Sequence, residues 1–214
     1  MLSFLSQAIK NTYHTGAIWP SSKALGRVMT RSFNDAEGPR RVLEVGPGTG
    51  PFTRHVLKDL RREDEFHIVE INPEFCRRLE ERHLGPFRSA NPDFTVELHQ
   101  DPIEQAELEG RFGFIICGLP FNNFPPASTR MIFRTLLDLL QPGGELIYFE
   151  YACVRSMRSP FVGTDGRRRI RQMDAHGRTM QRRFSGSREL VIGNFPPAYA
   201  VRLRGQEQDT RETV

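Results

Sequence analysis

Two hydrophobic periods take turns along this chain, and their alternation predicts its elements. Apolar runs of strand length fall at Arg41–Val45 (RVLEV), Phe66–Glu70 (FHIVE), Phe94–Leu98 (FTVEL), Phe112–Cys117 (FGFIIC) and Gly144–Phe149 (GELIYF). Between them lie segments with apolar residues three and four positions apart. These are Pro51–Leu60, with Phe52, Val56, Leu57 and Leu60 turned inward, Asn72–Leu84 behind an Asn-Pro start signal, and Ala127–Leu140. Period two marks strands and period 3.6 marks helices. Five such alternations predict an α/β fold with a mostly parallel sheet covered on both faces.

The flanks read differently. Met1 to Tyr13 sets Leu2, Leu5, Ile9 and Tyr13 near helical spacing, a short amphipathic helix whose apolar face suits either packing on the domain or docking on a membrane surface. GAIWPSSKALGRVM follows, with start chemistry at Pro20, Ser21 and Ser22 and a packing face at Ala24, Leu25, Val28 and Met29. Ser32 to Pro39 reads as a polar loop. At the other end ELVIGNFPPAYAVRLR gives two strand-like runs around Phe195 to Pro197, a closing antiparallel hairpin that brings the expected sheet to seven strands. The expected organisation is therefore helices over 1–38, an α/β domain over 39–205, and a frayed tail over 206–214.

Composition narrows the classes. At 214 residues one domain can remove about 70% of its unfolded surface from water. Cys76, Cys117 and Cys153 have no paired spacing, so neither a disulfide framework nor a zinc site is expected. No apolar run approaches the roughly 20 residues needed to span a bilayer, and the start lacks signal-peptide features, so an intracellular protein is expected. Thirty Lys and Arg against 26 Asp and Glu leave a charge of +4, and most of the surplus lies after residue 154. There Arg155, Arg158, Arg167 to Arg169, Arg171, Arg178, Arg182, Arg183 and Arg188 face only Asp165 and Asp174. Such a stretch suits a solvated face or an anionic surface.

The chemistry concentrates where the first strand ends. Glu44 is followed by Gly46, Gly48 and Gly50, a turn that brings backbone close to a ligand. A dinucleotide fingerprint places its third glycine three residues after its second, whereas here the step is two. The tighter loop resembles the first motif of class I S-adenosylmethionine-dependent methyltransferases. Glu70, about 20 residues on, stands where a carboxylate accepts hydrogen bonds from both ribose hydroxyls. Asp101, just past the third strand, is placed to accept from an adenine amine. With Ile71, Pro102 and Gly118 these residues fall at the carboxyl edge of a parallel sheet, where such folds bind ligands. The expected cofactor is S-adenosyl-L-methionine, and in-line methyl transfer needs no metal.

Gly118–Phe121 (GLPF) follows the fourth strand, where the methyl acceptor is met. In relatives that methylate nucleobase amines the corresponding position carries Asn, Asp or Ser, so Gly118 argues against a nucleobase. An aliphatic ammonium has no lone pair and must lose a proton. Glu150 and Tyr151 past the fifth strand are candidate acceptors, with Tyr13 and His14 available if the N-terminal segment covers the pocket. Taken together, the first helix, GAIWPSSKAL, VLEVGPGTGPFT, Glu70, GLPFNNFP and NFPPAYAVRLR resemble the bacterial phospholipid N-methyltransferases and their relatives that methylate ornithine lipids. That resemblance implies a cytoplasmic enzyme docked on the inner membrane surface, drawing a lipid amine toward the cofactor. It implies Phe121 and Asn122 beside the acceptor, and Arg155 and Arg158 near a head-group phosphate. Ribosomal RNA adenine dimethyltransferases share the loop pattern more distantly and are the runner-up. Gly118 and the missing C-terminal helical domain speak against them, so nucleic acid is not the expected partner.

Overall fold

The computed structural model describes residues 21–121, 124–152, 182, 184 and 186–205. The first amphipathic helix, Pro20, Asn122, Arg155, Arg158, most of the arginine-rich segment and the tail lie outside the described residues.

The described elements are α1 (Lys23–Asn34), β1 (Arg41–Val45), α2 (Thr53–Asp59), β2 (Glu65–Val69), α3 (Pro73–Leu79), a π turn (Glu80–Leu84), α4 (Gly85–Ala90), β3 (Thr95–His99), β4 (Phe112–Cys117), α5 (Pro126–Asp138), β5 (Leu140–Tyr151), β6 (Ser187–Val191) and β7 (Ala198–Arg204). They build a seven-stranded sheet in the order β3-β2-β1-β4-β5-β7-β6. Strands β1 to β5 pair in parallel, while β7 runs antiparallel to both β5 and β6. This is the α/β architecture with a mostly parallel sheet expected from the alternation, closed by the C-terminal hairpin.

Strand residues alternate between two cores. On one face Leu43, Val45, Ile115, Cys117, Leu146 and Tyr148 pack with Ile132, Phe133 and Leu136 of α5. On the other, Val42, Ile68, Ile116, Ile147 and Phe149 meet Leu25, Met29 and Phe33 of α1 and Val56 and Leu57 of α2. Both faces of a parallel strand are thus buried, which is why β1, β2 and β4 are almost continuously apolar.

Several boundaries differ from the sequence reading. Helix α1 continues through Ser32, because Phe33 extends the Leu25 and Met29 stripe by one more turn and is 1% exposed. Its start is as read: Ser22 caps it, accepting from Leu25 N at 3.1 Å. Helix α2 begins at Thr53, two residues after Pro51. The third helical segment runs past Leu84 to Ala90, because the π turn carries the Gly85 N–H to Glu80 O before Pro86. Strand β5 starts at Leu140, opposite Phe112, and then shifts register before Glu145 pairs with Phe114.

Among the described residues, no helix is long and apolar enough to cross a membrane.

Candidate functional site

The loop after β1 is set by backbone geometry. Gly46, Gly48 and Gly50 have φ of 67°, 59° and 80°, in the left-handed region that side chains disfavour. Gly46 N donates to Val69 O at 2.9 Å and Gly118 N to Val45 O at 2.8 Å, so the ends of β1, β2 and β4 are laced together. A β-carbon on Gly46 would lie 2.3 Å from Leu119 Cδ2, and one on Gly118 would lie 2.5 Å from Gly46 O. At Gly48 a β-carbon would meet nothing within 4 Å. Gly46 and Gly118 are thus fixed by mutual packing, while Gly48 faces open space.

Two buried carboxyls flank the loop. Glu44 is fully buried, and neither of its oxygens completes a hydrogen bond. Burial pushes its carboxyl up to about 8, with the Thr53 hydroxyl and amide offsetting part of that and Glu70 adding to it. Glu70 is 2% exposed and accepts from Gly48 N at 3.0 Å and from Asn72 N at 2.9 Å. Burial also raises Glu70, partly offset by the Asn72, Gly48 and Ile71 amides.

Beside them opens a cleft of about 250 Å³, counted to its mouth, lined by Val45, Gly46, Val69, Glu70, Ile71, Asp101, Pro102, Ile103 and Leu119. Five of the residues read from the sequence, Gly46, Glu70, Ile71, Asp101 and Pro102, therefore line one cavity. Gly48, Gly50 and Glu44 belong to the loop that borders it. The sequence reading gave Leu119 to the acceptor loop rather than to this cleft, and it missed Ile103, which directly follows Pro102, and Thr53, which lies beside Glu44.

The acceptor-side residues are placed less as expected. Phe121 presents no open aromatic face. It is 2% exposed, stacked on Phe133 at 4.6 Å between centroids and edged by Tyr148 at 5.7 Å and Phe124 at 6.2 Å. Its sequence neighbours look like a loop, but the ring completes the core under α5. Glu150 is half-buried near the end of β5 opposite Tyr199. Tyr151 is buried in the opposite core against Phe149, at 5.3 Å between centroids. Burial raises its phenol above the ordinary value, which keeps it protonated near neutrality.

An unpartnered buried carboxyl, an open glycine and a cleft with an acid at each side fit a small cationic nucleoside. Residues 42–144 match a family described as a methyltransferase domain. An ornithine lipid N-methyltransferase from Singulisphaera acidiphila is 32% identical over 146 residues, covering 66% of this chain and 72% of that protein. The chain belongs to the class I S-adenosylmethionine-dependent methyltransferases. Within them it is related to the lipid N-methyltransferases. A hybrid PKS-NRPS synthetase from a Fusarium species is 31% identical over 138 residues, which is 60% of this methyltransferase but only 3% of the synthetase. The crystal structure of an O-methyltransferase from Bacillus cereus in complex with SAH shares the fold, with a TM-score of 0.62 at 15% identity over 94% of this chain and 90% of that one. The cofactor of this methyltransferase is S-adenosylmethionine.

Proposed function

We propose that this methyltransferase moves the methyl group of S-adenosylmethionine to the amine of a membrane lipid head group, that of phosphatidylethanolamine and its methylated forms or of an ornithine lipid, at the cytoplasmic membrane surface. The observation that carries the reading is the 32% identity to an ornithine lipid N-methyltransferase across most of that protein's length. Gly118 supports it. The 2.5 Å approach to Gly46 O leaves no room for the polar side chain with which nucleobase enzymes orient a planar amine.

When bound, the cofactor supplies an electrophilic methyl on a sulfonium. In this reading Glu70 would accept from the ribose hydroxyls, Asp101 would accept from the adenine amine, and the Gly46 to Gly50 loop would hold the methionine end beside Glu44. An ammonium head group must lose its proton before its lone pair can attack the methyl carbon. Of the described candidates Glu150 suits that task. Tyr151, held protonated, suits hydrogen-bond donation. The 1–13 helix and the arginine-rich segment, both outside the described residues, would bring the enzyme to an anionic surface.

The test is incubation with methyl-labelled cofactor and liposomes carrying phosphatidylethanolamine or ornithine lipid, with ribosomal RNA as a parallel acceptor. Label in the lipid is expected. Label in RNA alone, or in none of these amine lipids, would overturn the reading.

A further inference from the structure

Outside the cofactor cleft, β2 and β3 carry a second cluster that methyl transfer does not use. His67 stands opposite Glu97 in the parallel register, and His99 follows Glu97 by two residues on the same face. Their atoms form a nearly equilateral triangle. His67 Nδ1 and His99 Nε2 are 3.3 Å apart, His67 Nδ1 and Glu97 Oε2 3.5 Å, and His99 Nε2 and Glu97 Oε2 3.6 Å. A tetrahedral zinc ion with bonds of about 2.0–2.2 Å holds its ligands about 3.3–3.6 Å apart. The three atoms therefore have the spacing of one face of a zinc tetrahedron, a bound ion taking the place of the hydrogen bond that joins His67 Nδ1 and His99 Nε2.

We propose that His67, Glu97 and His99 form a binding site for a zinc-type divalent cation, with the fourth position open to water. Two histidines and one carboxylate are a recurrent zinc donor set. The surroundings are those of a metal site. His67 Nε2 is buried, completes no hydrogen bond and faces Glu65 Oε2 at 3.6 Å, so a metal on Nδ1 leaves the other ring nitrogen directed at a supporting carboxylate. Glu65 is held in turn by Arg41 Nε at 2.6 Å. Phe112 packs edge-on to the His67 ring at 5.3 Å between centroids and fixes its plane. The Glu97 side chain is half-exposed, which gives an ion a way in.

The ion would bind an edge strand to its neighbour just before both enter the cleft, since Glu70 follows β2 and Asp101 follows β3. Its role is that of a structural clamp on the adenosine side of the cleft.

Tag-free full-length protein, stripped with a chelator and re-equilibrated with zinc, tests this by metal analysis after desalting and by competition with a chromophoric chelator. One zinc per chain is expected, with a rise in melting temperature. His99→Ala should weaken zinc by more than about 100-fold, beyond the roughly 10–100-fold expected for the supporting change Glu65→Gln. Glu97→Gln, at a half-exposed position that folding tolerates, should also lose the zinc-dependent rise in melting temperature. Both variants should still bind S-adenosylmethionine in calorimetry, which shows that they are folded. Failure of the wild-type chain to retain zinc, or equal retention by folded His99→Ala, would overturn the proposal. The buried Cys76 and Cys117, with thiols pushed up to about 12, offer no thiolate alternative.

Discussion

At the amino ends of β1 and β2 the carboxylate of Asp64 is 1% exposed and saturated with partners, while at the carboxyl end of β1 Glu44 is buried as deeply, with only the Thr53 hydroxyl and amide beside it and neither oxygen in a completed hydrogen bond. Asp64 accepts from Arg40 N at 2.8 Å, from Arg40 Nε at 3.1 Å to each oxygen, and from Arg61 N at 2.6 Å. The Arg40 guanidinium also donates to Phe33 O and Asp59 O at 2.8 Å and lies 3.7 Å over the Phe33 ring. One residue thus joins α1, α2 and the start of both strands. The two acids respond in opposite directions. Burial would lift Asp64, but the Arg40 guanidinium and the two amides hold it below the usual carboxylate range, whereas burial lifts Glu44 to about 8. The first end of the sheet is finished by folding. The second carries an unmet electrostatic demand that a cationic ligand can satisfy, at a cost to the unliganded fold.

The largest effect expected from this contrast is at Arg40. Arg40→Ala strands a buried carboxylate and should lower the unfolding free energy by about 3–5 kcal/mol, read from urea denaturation. The affinity of the folded fraction for S-adenosylmethionine should stay within about threefold. The stability that Asp64 contributes is fully present above its unfolded value of 3.8 and is lost as pH falls through its lower folded value, so the variant should be less sensitive to acid. A variant that lost cofactor affinity in step with stability would erase the distinction between the two ends.

Glu70 comes next, with the emphasis reversed. Glu70→Gln weakens charge-assisted hydrogen bonds worth about 1.5–3 kcal/mol, so cofactor affinity should fall roughly 10- to 100-fold by calorimetry. The unfolding free energy of the unliganded chain should fall by about 1–3 kcal/mol, less than for Arg40→Ala, because the amide oxygen still accepts from one of the two backbone N–H groups while the amide NH2 faces the other. A loss of stability as large as that of Arg40→Ala, with affinity kept, would place Glu70 with Asp64.

The ligand end of this contrast was legible in the sequence and the folding end was not. Glu44, the three glycines, Glu70 and Asp101 announce themselves because a ligand-binding turn needs particular residue types at particular spacings after a strand. Arg40 and Asp64 are ordinary charged residues in apparent loops. Only the parallel pairing of β1 with β2 brings positions 24 apart together, and a one-dimensional pattern carries no such distance. The burial of Phe121 was hidden for the same reason, since it depends on α5 folding back over the sheet. The alternation of strands and helices and the closing hairpin could be read because continuous apolar strands and the Asn-Phe-Pro-Pro turn are local signals. The third helix was cut short at Gly85-Pro86 because a π turn can absorb a proline that an α-helix rejects.

The smallest effect in free energy is also the sharpest test of Glu44. Its folded carboxyl titrates near 8 and its unfolded carboxyl near 4.5, so between those values the native chain binds the extra proton. Stability from this group is therefore fully present below about pH 4.5 and is lost as pH rises through 8. Glu44→Gln cannot ionise in either state and should flatten that fall. Burial holds His55 and His67 below the ordinary imidazole value, but both are common to the two proteins and cancel in the difference between the two profiles. The net gain near neutrality should be only on the order of 1 kcal/mol, because a buried amide is itself left without partners. The slope decides: a Glu44→Gln profile parallel to that of wild type would mean that Glu44 is ionised in the unliganded fold and already satisfied, as Asp64 is.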